Sequence, residues 1–422
     1  MADQTVANWG DFLYELRGPM QQLFPSEFVL MAEIDRTTRD QGPNQDREIF
    51  SGNQVRVPIL PVPHQGGGFV AEAGTWNVPI AQETNKATIT MARYVMPVSV
   101  TPDLLQTALN NAAAQAMATL VKTARVGIAR DENTALQGDG TGLLGTFVSG
   151  TSPGLGPFVI GTAANPANAD EFYPGRVLDI LTKSNGADPG QGLRRKISVT
   201  TDNNDGTISV TFLTGQQASD GGTGSITIST NEGFYLPGSY GNVCQGLQQG
   251  LAITGTFEGI DKAAKAYWQA IDGRSGTTTV VPLTTSMLDG AVRKVWVAGV
   301  TSFQFAIGDP AVFDLYKQSL YTQTRWAGQT GTLATGFEGV SYNGTVLVGD
   351  HQHKRGSMSF LTKDALQMYG FKPGPDFLDD DGSMFRRFTR TLPKEFDLVD
   401  WYQFGFLRCN PHVFLNNLAR AA

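Results

Sequence analysis

Two glycine-rich motifs have spacings that serve phosphate binding or nucleophilic catalysis in other proteins. Residues 140–145, Gly-Thr-Gly-Leu-Leu-Gly, match the GxGxxG pattern that binds the phosphates of a dinucleotide at a helix N-terminus. That chemistry needs a strand before the motif and a helix after it. Here a long helical pattern precedes the motif and a Gly/Pro-rich passage follows it. We therefore interpret residues 140–145 as a loop that ends a helix, with no cofactor bound.

The second motif, Gly-Thr-Ser-Pro-Gly at residues 150–154, matches the nucleophile elbow GxSxG of hydrolases. In that elbow, the backbone N–H of the residue after the serine contributes to the oxyanion hole. Pro153 has no N–H group, and residues 154–157 (Gly-Leu-Gly-Pro) cannot begin the helix that must follow. The sequence therefore predicts no catalytic role for Ser152.

Other side chains that could bind metals or be modified lack matched partners. Residues 350–353, Asp-His-Gln-His, follow a predicted hairpin strand and are interpreted as a solvated loop. Residues 379–381, Asp-Asp-Asp, lack the spaced oxygens of a calcium loop and are interpreted as a solvated acidic turn. Residues 343–345, Asn-Gly-Thr, fit a glycosylation sequon, but a hairpin turn explains the Asn-Gly pair. We predict no catalytic residue, no metal site, no cofactor and no enzymatic activity.

Composition restricts the possible classes of protein. The 422 residues suggest two or three domains, and 49 glycines with only 17% charged residues are typical of a loop-rich protein that contains β-structure. The net charge of −7 and the lack of a long basic run argue against tight, direct binding of nucleic acid, although a container that encloses it is compatible. Two distant cysteines fit a reducing cytoplasm. We find no signal-peptide pattern and no apolar run that predicts a membrane span.

The first third of the chain is predicted to contain elements without a partner of their own. Residues 1–50 form a polar arm with too little patterning to make a core. Residues from about 54 to 100 alternate between apolar and polar positions on both sides of Gly66-Gly67-Gly68, which predicts a long two-stranded ribbon. An isolated ribbon is marginally stable in water, and the sequence offers no surface for it within the chain.

A long helix is predicted next. Thr101, Pro102 and Asp103 are typical of a helix start, and apolar residues recur at helical spacing from Leu105 to about Leu136. After a Gly/Pro-rich passage, alternating residues at 196–200, 207–212 and 225–229 predict a small all-β module over about 165–245.

The rest of the chain has a mixed α/β pattern. Helices are predicted at 283–296 and 310–321, and strands at 303–307 and 357–361. Asn343-Gly344 predicts a hairpin between 340–342 and 345–348, and residues 396–408 predict a strand that is apolar on both faces.

The order of these elements resembles the Hong Kong 97-type fold of the major capsid proteins of tailed phages. The resemblance rests on the helix start at 101–103, the helix end at 131–142 (Asp-Glu-Asn-Thr-Ala-Leu-Gln-Gly-Asp-Gly-Thr-Gly) and residues 305–310 (Phe-Ala-Ile-Gly-Asp-Pro) before a helix. It implies an α+β fold whose parts follow in chain order: an N-terminal arm (1–50), an extended β-hairpin loop (51–97), a peripheral domain with the spine helix and glycine-rich loop (98–164), an inserted β domain (165–245), an axial domain (246–385) and a C-terminal strand region that returns to the peripheral domain (386–422).

The resemblance also implies a function. We expect a structural protein that self-assembles into hexamers and pentamers of an icosahedral phage head around double-stranded DNA, located in the virion capsid and assembled in the bacterial cytoplasm. Expected partners are other copies of the chain, a separate scaffolding protein, a portal and decoration proteins, without a membrane. An encapsulin-like nanocompartment that packages protein cargo, and a soluble enzyme with an unrecognised site, are the alternatives.

Overall fold

The computed structural model describes residues 28–38, 49–61, 69–70, 72, 74, 84–100, 110–150, 152–162, 166–190, 192–203, 205–213, 224–274, 276–277, 279–297, 303, 305–321, 330–332, 338–372, 374–378, 386–387 and 394–421. Within them the chain has an α+β fold of several sheets and few helices. In the part of the chain that is described, no helix is long and apolar enough to cross a membrane.

One long helix, Asn110–Gln137, is called the spine helix below. Its 28 residues correspond to about 42 Å at the usual helical rise. Leu120, Ala124 and Ile128 follow each other by one turn and bury one face of the helix. The predicted helix end is confirmed to within one residue, whereas the predicted start at 101–103 lies outside the described residues.

The spine helix packs against a six-stranded sheet, called the peripheral sheet. Its central strand, Lys394–Phe406, pairs antiparallel with Ala92–Val100 along one edge. Along its other edge the central strand pairs with Leu366–Gly370, Asp376–Phe377 and Arg386–Arg387. The strand Arg36–Thr38 pairs in parallel with Leu366–Gly370. The predicted strand at 396–408 is confirmed, and residues 398–400 are all buried because both of its faces are covered.

The ribbon is present, with two differences from the prediction. Gln54–Ile59 pairs antiparallel with Asn85–Thr90 as expected, and Ile49–Ser51 adds a third strand. The return run does not continue as one strand, because the chain leaves the ribbon at Met91 and Ala92–Val100 joins the peripheral sheet. Gly66-Gly67-Gly68 lies outside the described residues.

The β module is a closed six-stranded barrel. Its strands are Leu143–Gly150, Phe158–Ile160, Val177–Thr182, Arg195–Asp202, Ile208–Phe212 and Glu232–Tyr235, with a short 3-10 helix at Ala169–Glu171. The aromatic side chains that fill it are Phe147, Phe158, Phe172, Phe212 and Phe234. Two of the predicted strands are confirmed, whereas the third, 225–229, contributes only an isolated bridge between Ile226 and Gly154.

The barrel begins at Leu143, so the predicted start at 165 was too late. The glycines and prolines of 145–157 resembled a loop in the sequence. In the structure Gly145 lies where a Cβ would be only 2.5 Å from the Ile160 side chain, so close packing between neighbouring strands requires a glycine there.

The remaining large unit, the axial sheet, has seven strands. In spatial order they are Ile271–Asp272, Val413–Leu415, Met358–Leu361, Phe305–Gly308, Thr345–Gly349, Glu338–Tyr342 and Thr330–Thr332. Residues of the helices Thr285–Val297 and Pro310–Tyr321 share its apolar core. Both helices and the Asn343-Gly344 hairpin are confirmed, and both turn residues have positive φ.

Smaller elements connect these units. They are the helices Val29–Glu33 and Leu247–Leu251, the strand pair Thr256–Phe257 and Ile260–Asp261, and the 3-10 helices Ala266–Trp268 and Lys363–Ala365.

Two predicted boundaries differ from the strand pairing. Leu366–Gly370, placed by sequence in the axial region 246–385, belongs to the peripheral sheet. Val413–Leu415, placed in the C-terminal region that returns to the peripheral domain, instead pairs with Met358–Leu361 in the axial sheet. After Leu361 the chain therefore passes from the axial sheet to the peripheral sheet and back, and such long-range pairing leaves no local sequence signal.

We predict that the barrel can be removed as one unit. Leu143 and Tyr235 are register partners, so the chain enters and leaves the barrel at neighbouring points. Replacing residues 143–235 with a short Gly/Ser linker should leave a soluble subunit with cooperative thermal unfolding. The deletion removes Arg176 and Glu171 together, so neither of these two buried ions is left without the other.

The matched control is the shorter deletion of residues 168–235. It leaves two barrel strands behind and exposes Phe147 and Phe158, so it should give insoluble protein. If both deletions are equally insoluble, the barrel is part of the main core rather than a separable unit.

Candidate assembly site

The last two turns of the spine helix form a buried polar centre, which we call the hub. Its side chains are those of Arg130, Asp131, Glu132, Asn133, Thr134 and Gln137. Most of them are buried, because the N-terminal segment, the barrel and the axial sheet all meet the helix at this point. A buried polar group without a partner costs about 1–3 kcal/mol, so each approaching element must bring matching groups.

On the barrel side, the hub is held by charged groups. Arg176 donates to the carboxylate of Glu171 and, at 3.0 Å, to Oδ1 of Asp131. The hydroxyl of Thr134 lies 3.1 Å from Oε1 of Glu171. Arg130 donates to the carbonyl of Asp170, and its guanidinium lies 4.1 Å from the centre of the Tyr173 ring. These contacts fix the barrel segment from Asp170 to Arg176 against the helix.

On the axial side, the hub meets residues 350–353. Gln137 Nε2 donates to Oδ2 of Asp350 at 2.8 Å, which turns its Oε1 toward Nδ1 of His353, 3.2 Å away. Burial lowers the pKa of His353 to about 4, so its imidazole is neutral at pH 7 and donates from Nδ1. Gln352 adds a hydrogen bond from Nε2 to Oγ1 of Thr134 at 2.8 Å.

The prediction that residues 350–353 form a solvated loop is therefore wrong for Asp350 and His353, which are both buried. It is right for His351, which is exposed and lies 3.6 Å from Asp170. Within the described ranges, no group of three or more His, Cys, Asp or Glu side chains is placed to hold a metal ion. The segment is structural: it joins the axial sheet to the spine helix.

On the third side, the N-terminal segment reaches the hub through Arg36. Its guanidinium makes two hydrogen bonds to the carboxylate of Asp400 on the central strand, one of them 2.9 Å long. Glu132 is only 1% exposed, and burial beside Asp400 raises its pKa well above the usual range. A protonated Glu132 avoids a second buried negative charge and can donate to Asp400. Residues 28–38 of the predicted arm are therefore packed against the rest of the chain.

The foot of the ribbon is a second anchored point. Val55, Val57, Ala87 and Ile89 are buried in the main core, together with residues of the central strand. The backbone N–H of Thr88 donates to the carbonyl of Glu258 at 2.8 Å. The prediction that the chain offers the ribbon no surface is therefore wrong for its foot. Farther out, Leu60, Phe69 and Val70 expose large apolar side chains.

Glu258 connects the ribbon foot to the central strand. Its carboxyl group is buried, and Oε1 accepts a hydrogen bond from the backbone N–H of Phe406 at 2.6 Å. Burial raises the pKa of Glu258 to about 8, so the group is mostly protonated at neutral pH. A neutral carboxyl group at this position needs no counterion.

The motifs that could suggest catalysis have structural roles. The loop at 140–145 leads into a barrel strand rather than a helix, and a Cβ on Gly142 would lie 2.3 Å from the Ser239 hydroxyl. The Ser152 hydroxyl accepts a hydrogen bond from the backbone N–H of Ile228 at 2.9 Å. Cys244 and Cys409 are both buried and unpaired, and burial raises the pKa of Cys244 to about 12. Residues 379–381 lie outside the described residues.

No family model matches the sequence, and no curated protein sequence matches it. Solved structures do match. A chain of the cyanophage A-1(L) capsid asymmetric unit is 10% identical, with 95% of each chain covered and a TM-score of 0.53. The encapsulin of the holo-SrpI complex from Synechococcus elongatus PCC 7942 is 10% identical, covering 99% of this chain and 96% of that one, with a TM-score of 0.46. The capsid of a native GTA particle is 9% identical over 100% of both chains, with a TM-score of 0.43.

The similarity to the cyanophage capsid chain extends over almost the whole length of both chains. The chain therefore has the Hong Kong 97-type capsid fold, which confirms the α+β fold class expected from the order of its elements.

We predict that Glu258→Gln makes the subunit more resistant to alkali. Because the folded pKa of Glu258 is about 8 and its ordinary value is 4.5, its contribution to stability is complete below pH 4.5 and is lost as the pH rises toward 8. Glutamine keeps the acceptor for Phe406 N–H and cannot ionise. The free energy of unfolding of the variant should therefore rise relative to that of the wild type as the pH increases through this window, by at most about 1.4 kcal/mol per pH unit.

The measurement is urea unfolding of free subunits at several pH values between 5 and 8. Asp261→Asn is a suitable control, because Asp261 is an exposed acidic residue in the neighbouring strand. A difference between Glu258→Gln and wild type that does not change with pH would show that Glu258 is ionised throughout.

Proposed function

We propose that this chain is the major capsid protein of a tailed bacteriophage, which assembles through hexamers and pentamers into an icosahedral head around double-stranded DNA. The observation that carries the proposal is the shared fold with a cyanophage capsid chain over 95% of both chains. No catalytic role is assigned to the chain, since the motifs that suggested one have structural explanations.

The ribbon provides the physical reason for assembly. Its foot is fixed in the core, whereas Leu60, Phe69 and Val70 carry apolar surface away from that core. Each large apolar side chain that a neighbouring copy covers contributes about 1.5–3 kcal/mol to association. Because identical copies present identical projections, contacts of this kind repeat around a symmetry axis and close into rings.

The charge of the chain fits a container for DNA rather than a DNA-binding protein. With a net charge of −7, the subunit would gain little from counterion release on contact with DNA. We propose that it encloses double-stranded DNA without reading its sequence. We further propose that it works with a separate scaffolding protein, a portal and decoration proteins during assembly in the bacterial cytoplasm.

We also propose that the barrel projects from the outer surface of the shell and contributes to subunit contacts or to host-facing chemistry. Its two chain connections lie next to each other, and its contacts with the hub are made by the short region from Asp170 to Arg176. A module joined in this way can be carried on a shell without forming part of its floor.

Electron microscopy of the full chain, produced in bacteria with its scaffolding protein, tests the proposal. We expect closed shells with five-fold and six-fold clusters, and nuclease-resistant DNA in particles from phage-producing cells. Leu60→Glu should remain folded and reduce the yield of shells, because it places a charge in an apolar contact, whereas Leu60→Met should assemble normally.

A monodisperse monomer at every concentration and salt condition would contradict the proposal. Shells that hold protein cargo and no nucleic acid would instead identify an encapsulin-like compartment. A monomer that turns over a substrate would support the enzyme alternative.

A further inference from the structure

A cleft of about 660 Å³ separates the barrel from the strand Ala92–Val100, beside the hub. One wall is formed by residues 92–95 and 97, and the other by barrel residues that include 175–177, 194 and 196. A second cavity of about 790 Å³ shares Ala92, Arg93 and Asn242 with it, so the groove continues toward the ribbon foot. The groove is large enough to receive a segment of polypeptide.

Part of the cleft wall is apolar although it faces water. Val95, Tyr173 and Val177 are three of the large hydrophobic side chains that remain exposed in the described residues, and all three line this cleft. Single exposed apolar residues are ordinary on a protein surface, but a convergent group in a concave site is typical of a docking surface.

The cleft is also basic. Arg93, Arg194 and Lys196 line it, and the carboxylate of Asp131, which lines it as well, is engaged by Arg176 at 3.0 Å and by the Tyr94 hydroxyl at 2.7 Å. Within the described residues, no ion pair involves Arg93 or Lys196; the guanidinium of Arg93 lies 5.4 Å from the centre of the Trp401 ring. A partly apolar groove with Arg93 and Lys196 at its rim fits an amphipathic segment that carries acidic residues.

Residues 9–16 of this chain, Trp-Gly-Asp-Phe-Leu-Tyr-Glu-Leu, have that chemistry. Trp9, Phe12, Leu13 and Leu16 follow the i, i+3, i+4, i+7 spacing of one helical face, and the segment contains two acidic residues and no lysine or arginine. We propose that residues 9–16 dock in this cleft, with the apolar face on Val95, Tyr173 and Val177 and the acidic residues at the basic rim. This inference does not depend on the proposed shell function.

The start of the described chain lies within reach of the cleft. The backbone of Leu30 is hydrogen-bonded to Asp350, which also binds Gln137 in the hub. Gln137 and Asp131 are six residues apart on the spine helix, which corresponds to about 9 Å. The chain from Leu16 to Phe28 can span up to about 40 Å when extended, so the same chain can supply the segment.

Cross-linking of the full chain tests this proposal. Glu15→Cys is combined with Lys196→Cys, and the protein is treated with a short bismaleimide. Native Cys244 and Cys409 are buried with raised thiol pKa values, so the engineered pair reacts preferentially. Mass spectrometry should find the link between residues 15 and 196, within one chain or between two. Its yield should be several-fold higher than for Glu15→Cys with Lys183→Cys, a barrel position that does not line the cleft.

A second comparison separates docking from chance proximity. Leu13→Ser removes an apolar contact on the proposed face and should lower both the yield of the link and the hydrogen-exchange protection of residues 92–97. Tyr14→Ser, on the opposite side of the same helical pattern, should leave both unchanged. Equal yields from the two lysine positions, or no effect of Leu13→Ser on either measurement, would overturn the proposal.

Discussion

The arrangement of this subunit depends on how the charged end of its spine helix is buried. From Arg130 to Gln137 the helix presents polar or charged side chains on several sides. The barrel and the axial sheet supply hydrogen-bonding partners for them, and the N-terminal segment brings the charge of Arg36 near Glu132, where Arg36 pairs with Asp400. Burying an ion without a partner costs several kcal/mol, which exceeds the gain from a single apolar contact. The elements that surround the hub therefore have little freedom in position once the helix has formed.

Such a network adds more to the uniqueness of the arrangement than to net stability, because well-packed apolar residues of similar volume are often as stable as a buried ion pair. For a subunit that must repeat the same contacts many times, a unique arrangement is the more useful property. Arg176 and Gln137 tie the barrel and the axial sheet to the spine helix, and Arg36 ties the N-terminal segment to Asp400 of the central strand beside it. The ribbon foot adds a further fixed point through Glu258, and apolar surface then extends outward from a defined base.

Local patterns in the sequence predicted local structure well. The apolar spacing of the spine helix, the Asn-Gly turn and the alternation in the barrel strands each arise from neighbouring residues, and all three are present. The hub was not predicted, because Gln137 and Asp350 are 213 positions apart. Polarity alone made Asp350 and His353 look solvated. The return of Val413–Leu415 to the axial sheet and the early barrel start depend on pairing between distant strands, for which one sequence offers no local signal.

The central role of the hub can be measured by the urea unfolding of free subunits that carry Arg176→Met. This change removes the cation that the buried carboxylate of Glu171 and the partly exposed carboxylate of Asp131 share, whereas Lys183→Met alters an exposed lysine of the barrel. If the hub positions the subunit, Arg176→Met should lower the free energy of unfolding by about 3–5 kcal/mol, and Lys183→Met by no more than about 0.5 kcal/mol. Equal, small effects of the two substitutions would contradict this account.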